Sequence, residues 1–81
     1  MREQDPIQAA REVKRTETLL RDARAVLRNL DVLAAQALAT EDPALPDIAA
    51  LRDGCDRLVS QLSRRAQAEQ RRARDAVRRL R

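Results

Sequence analysis

With 81 residues, a net charge of +4, 37% charged side chains, no histidine, no aromatic residue and one cysteine, the chain has room for one small domain and no internal disulfide. It also lacks the common zinc ligand sets. A chain this short buries only about 60% of the surface its unfolded form exposes, so once disulfides and metals are set aside, association is the remaining aid to stability.

One glycine and three prolines in an Ala-, Leu- and Arg-rich chain specify long helices with little room for strands. Asp5 is a good N-cap, Pro6 falls where its missing N–H costs nothing, and Gln8 occupies the third helical position of a capping box. No breaker follows until Pro43. The residue before a proline is pushed out of the α region, so helix 1 is predicted over residues 6–40, a rod of roughly 50 Å.

Residues 41–47 (EDPALPD) form the predicted turn. Asp42-Pro43 repeats the start signal of Asp5-Pro6, and Pro46-Asp47 supplies a second one. Either proline is tolerable in a first turn, so both stay open as the start of helix 2. From Ile48 onward only Gly54 interrupts good helix formers, so helix 2 is predicted over residues 48–81. The whole chain, 1–81, then reads as one helical-hairpin domain.

The apolar spacing carries the fold. In helix 1, Ala9, Val13, Thr16, Leu20, Ala23, Leu27, Leu30, Ala34 and Ala37 step by alternating fours and threes, the a/d pattern of a left-handed coiled coil. In helix 2, Ile48, Leu51, Cys55, Val59, Leu62, Ala66, Ala73, Val77 and Leu80 recur about once per helical turn. Pairing residues whose numbers sum to about 89 sets Leu38 on Leu51, Ala34 on Cys55, Leu30 on Val59, Leu27 on Leu62 and Ala23 on Ala66. Leu20, facing Glu69 or Gln70, is the exception. Gly54 is expected to allow close backbone approach beside the Ala34/Cys55 layer. The expected fold is all-α: an antiparallel, coiled-coil-like two-helix hairpin.

More apolar surface remains than one seam uses. Leu19, Val26 and Leu33 repeat every seven residues, Val32 and Leu38 widen the stripe, and helix 2 adds Ile48 and Leu58. Large aliphatic side chains left in water forgo about 1.5–3 kcal/mol each, against a total stability of about 5–15 kcal/mol for a native domain. Leu19, Val26, Leu33 and Leu58 are therefore the expected partner interface. Dimerisation or a partner helix would complete a four-helix bundle.

Charge is graded along the chain. Residues 1–31 carry net +1, residues 32–63 net −3 and residues 64–81 net +6. The basic end holds Arg64, Arg65, Arg71, Arg72, Arg74, Arg78, Arg79 and Arg81. In a hairpin it lies beside Glu12, Glu17 and Asp22, which are placed to pair with some of these arginines. Unpaired, the cluster fits an anionic ligand such as nucleic acid or an acidic surface, since Arg meets phosphate with a bidentate fork. Without aromatics there is no stacking platform for bases, so any nucleic-acid binding is expected to be non-specific and salt-dependent.

Catalysis has little to work with. There is no His for general-base chemistry and no Gly-rich phosphate loop. Ser60 and Ser63 have no base within a turn, and Cys55 falls on the seam between Asp53 and Asp56, which disfavours a thiolate. No enzyme activity, cofactor or metal is expected. No apolar run approaches the roughly 18 residues that cross a membrane and the N-terminus is unlike a signal peptide, so a cytoplasmic location is expected, with signal-less secretion as the alternative.

The expected function is a non-enzymatic protein-interaction module: an adaptor, small chaperone or assembly subunit. Polyanion binding by the arginine end is the first alternative. Residues 43–51 (PALPDIAAL), with about one long helix after them, resemble the turn of type III secretion needle subunits, and the hairpin chaperones of that system share the outline. This resemblance implies a small secretion subunit as the second alternative. The chain departs from the needle pattern in its Arg-rich second helix and its lack of aromatics.

Overall fold

The computed structural model describes residues 5–80. Helix α1 spans Pro6–Ala39 and helix α2 spans Leu45–Arg78, each 34 residues long. They pack on each other as an antiparallel hairpin with extents of 60 × 19 × 13 Å. Among the described residues there is no strand, and no helix is long and apolar enough to cross a membrane.

Local chemistry sets the ends of α1. The Asp5 carboxylate accepts from the Ile7 N–H at 3.0 Å, satisfying one orphan donor of the first turn. At the other end Thr40 is the C-cap and Glu41 takes φ 51°, the left-handed conformation. The Glu41 N–H donates to the Leu38 carbonyl and the Asp42 N–H to the Ala37 carbonyl, at 3.3 and 2.8 Å. This is a Schellman termination with glutamate where glycine is usual, and a side chain in that region carries a Cβ penalty.

The chain then turns at once. The Asp42 side chain accepts from the Ala44 N–H at 2.8 Å, and its carbonyl accepts from the Leu45 N–H at 3.1 Å. Helix α2 thus begins at Leu45, with Pro46 in its first turn and Pro43 left in the connection. That is three residues earlier than the expected start at 48. The reversal is centred on Asp42, not on residue 44 as the 41–47 turn implied.

A shorter loop slips the register by one heptad. The buried core joins Leu20 and Ala23 to Leu62, with Val59 packed against them. Leu20/Leu62 and Ala23/Val59 have numbers that sum to 82, not 89. Leu27 is therefore not the partner of Leu62, and Leu20 sits in the core instead of facing Glu69. Cys55, expected opposite Ala34, places its Sγ 3.5 Å from the Ala23 carbonyl oxygen, to which the thiol donates weakly.

The same strict seven-residue repeat reassigns the α2 seam. Its line runs Leu45, Ile48, Arg52, Cys55, Val59, Leu62, Ala66, Glu69, Ala73 and Ala76, stepping by threes and fours, every one buried or half-buried. Leu51, Val77 and Leu80, expected on the seam, are exposed. Left-handed supercoiling holds the contact line at 3.5 residues per turn, so apolar residues one position off that line turn outward.

Two of the seam positions are therefore charged. Arg52 donates to Asp31 across the hairpin and also lies 3.6 Å from Asp53. The hydrogen bond and charge of Asp31 raise the Arg52 pKa above its ordinary value. Glu69 is 9% exposed, and its Oε1 finds no hydrogen-bond partner among the described residues. Burying an unpaired carboxylate oxygen opposes folding, so the charged end of the seam is its weak half. Thr16, the most buried large side chain, accepts from Arg65 Nε at 3.3 Å beside it.

Two outcomes follow for the turn and the register. Glu41→Gly removes the Cβ penalty and is expected to raise the unfolding free energy by about 0.5–1 kcal/mol in urea titrations. In a Cys55→Ala background, the pair Ala23→Cys/Val59→Cys is expected to crosslink readily. The pair Ala23→Cys/Ala66→Cys, which fits the 89 register, is expected to stay reduced, as non-reducing electrophoresis would show.

Candidate protein interface

Writing Leu20 as position a of the heptad places Leu19, Val26 and Leu33 at g in α1. Leu45 as a places Leu51 and Leu58 at g in α2. In an antiparallel pair the g rows flank one side of the seam and the e rows the other. Two cross-helix contacts agree with that arrangement. On the e side Gln70 Nε2 donates to Glu17 Oε1 at 3.5 Å. On the g side Arg65 reaches Thr16, and a shallow cleft is lined by Glu12, Arg15, Thr16, Arg65 and Glu69.

The g side is therefore a broad face shared by both helices. Toward the turn it carries Leu19 (46% exposed), Val26 (51%), Leu33 (47%), Leu51 (63%) and Leu58 (45%). Three of these five come from α1 and two from α2, so the patch crosses the seam. The e side carries Glu17, Arg24, Asp31, Asp56, Ser63 and Gln70, with Ala49 and the exposed Leu38 next to the turn. One side of the hairpin is oily over its turn-proximal half and the other is polar apart from Leu38 and Ala49 beside the turn. That contrast is not needed to fold two helices together, because the seam is already filled by other residues.

All four expected interface residues, Leu19, Val26, Leu33 and Leu58, fall on this one face. Leu51 belongs with them. Its seven-residue interval to Leu58 was the signal, masked by its apolar character, which made it look like a seam residue. Val32 and Leu38, expected to widen the stripe, are exposed but lie off the g row, at f and e. Gly54 sits between Leu51 and Leu58 at position c. A Cβ there would meet only Arg57 Nη2, at 3.8 Å. The hairpin itself therefore leaves room for alanine, and the expected role of Gly54 in bringing the two backbones together does not hold.

The arginine end has a different order. Arg57, Arg64, Arg71 and Arg78 recur every seven residues at f, with Arg65, Arg72 and Arg79 beside them at g. Arg74 lies next to this row at b, three residues from Arg71 and four from Arg78, and Arg81 falls outside the described residues. The expected pairing with helix 1 acids is not seen for Glu17 and Asp22: Glu17 accepts from Gln70, and Asp22 pairs with Arg21 at 3.4 Å. Among the described residues, the ion pairs are those of Arg21 and Arg52, and none engages the arginines from Arg57 to Arg79. No group of three His, Cys, Asp or Glu side chains converges among the described residues.

Comparison with protein families, with curated proteins and with solved structures returns no match.

Seam and face should respond differently to truncation. Leu62→Ala is expected to cost about 2–4 kcal/mol of hairpin stability, because it empties a buried layer. Val26→Ala at the exposed face is expected to cost under about 0.5 kcal/mol. Urea unfolding at submicromolar chain concentration, where association contributes least, measures both.

Proposed function

We propose that this chain is a non-enzymatic protein-interaction module of the adaptor, small-chaperone or assembly-subunit kind, and that it docks other helices on the g face of the hairpin. The carrying observation is the exposed patch of Leu19, Val26, Leu33, Leu51 and Leu58, set against an e face that is polar at the same levels. Five half-exposed aliphatic side chains at helical spacing match the way an amphipathic helix is received in a groove. A contiguous apolar patch of this kind on a small chain marks an interaction surface.

A second reading rests on the arginine row. Arg57, Arg64, Arg71 and Arg78 stand about 10.5 Å apart on one ridge, and no ion pair neutralises them among the described residues. Such a ridge supports polyanion binding by charge alone, with affinity falling steeply as salt rises.

Photocrosslinking separates the faces. A benzophenone side chain placed at Val26 or at Leu58 in cells is expected to trap a protein adduct, whereas the same group at Arg24 or Ser63 on the e face is not. Equal labelling from both faces, or none from Val26 and Leu58, would remove the proposal.

A further inference from the structure

We infer that the occupant of the g face is a second copy of this chain, packed antiparallel so that the two turns point in opposite directions. The inference rests on the reading of the g face as a docking surface and adds its partner and its geometry.

Charge selects the orientation. Centre a two-fold axis on the patch, near Val26 and Leu58. An antiparallel copy then lays its turn end, where residues 32–63 hold net −3, along the arginine-rich half of the first, where residues 64–81 hold net +6. Because α2 stacks on the α2 of the other copy, Asp47, exposed in the first turn of α2, comes within about one helical turn of the other copy's Arg65, and Glu41 and Asp42 come to the level of Arg72. Leu33 and Leu51 come to the level of Leu19. A parallel copy matches the same oily residues but stacks α1 on the other copy's α2, which sets Arg65 beside Arg15 and leaves the two acidic turns side by side. Like charges brought together in this way disfavour that complex.

Area is sufficient. The antiparallel overlap runs from the turn to about the level of Glu12, roughly 40 Å, on a face two helix diameters wide, roughly 20 Å. That is about 800 Å² per copy, the footprint of a standard stable interface. The arrangement is isologous, each copy offering the same patch, as two-fold dimers require. It closes into a four-helix bundle. Gly54 opens a notch between Leu51 and Leu58 that an aliphatic side chain of the second copy fits, a use for the glycine that the hairpin itself does not supply.

Sedimentation of the full chain at micromolar concentration is expected to show a discrete dimer. Asp47→Arg is expected to weaken it about tenfold, since two symmetry-related pairs with Arg65 are lost, and Asp47→Arg/Arg65→Asp to restore most of that loss. Gly54→Ala is expected to make the hairpin more helical yet weaken the dimer. For orientation, a spin label at Arg78→Cys in a Cys55→Ala background is expected to give a distance of about 60 Å between copies, from two runs of about 20 residues each. A distance near 20 Å shows a parallel dimer and overturns the inference. A chain that stays monomeric, or that polymerises, overturns it too. If it is monomeric but Val26 and Leu58 still crosslink to a different protein, the docking face stands and only its occupant is wrong.

Discussion

Glu41 takes a left-handed conformation, and that one residue closes the first helix, so that the second can begin after only five residues, 40–44. The short loop leaves little choice of register. Asp42 fixes it further by accepting hydrogen bonds from Ala44 and Leu45, which starts α2 immediately. Leu20 then meets Leu62, Arg52 meets Asp31, and the g rows of both helices come to the same side. A loop longer by a few residues would permit the next heptad register, which is also apolar in most layers. The seam alone does not distinguish the two registers, because both obey the same seven-residue repeat. The loop and the Arg52–Asp31 pair do.

This explains what the sequence discloses and what it hides. The α1 seam from Ala9 to Ala37 was legible residue by residue, because every position of its heptad line is Thr or aliphatic. The α2 seam was not, because two of its line positions are Arg52 and Glu69, while Leu51 sits one step from Arg52 and Val77 one step from the smaller Ala76. Hydrophobic spacing follows the oily neighbour where supercoiling follows the seven-residue line. The turn was legible as a turn and ambiguous as a boundary: both prolines suit a first helical turn, and only the Asp42 contacts place Pro43 in the connection and Pro46 in the helix. The four candidate interface residues were found because they repeat every seven residues on their own. Leu51 was hidden by being absorbed into the wrong seam.

The seam that results is thin. Its buried layers are mostly alanine with Leu20 and Leu62 as the large members, and its free end contains Thr16 and Glu69 where a leucine would pack better. Alanine layers draw the helices close but bury little apolar area each, and hydrophobic stabilisation scales with that area. The larger aliphatic residues stand on the g face instead. Sequence resources are thus divided, with small residues inside the hairpin and large ones on its surface. That division disfavours a solitary, strongly stable monomer and suits a hairpin whose stability is completed on association.

The gradient of charge along the rod then links the two functional readings, which otherwise compete for one small molecule. An antiparallel pair centred on Val26 covers the oily half of each hairpin and carries the terminal arginines, Arg78 and Arg79, outward at both ends, well beyond a Debye length of each other at physiological salt. The acidic turns lie alongside the inner part of each arginine row and neutralise it in part, while its outer part stays open to solvent. A polyanion long enough to span the bundle would meet two basic ends instead of one, and two linked weak contacts bind far more tightly than either alone. A parallel pair would instead crowd both arginine rows together, a geometry that self-repulsion opposes unless an anion is already present. In the proposed antiparallel geometry the apolar face would be occupied by the second copy while the outer arginines stayed open to a polyanion.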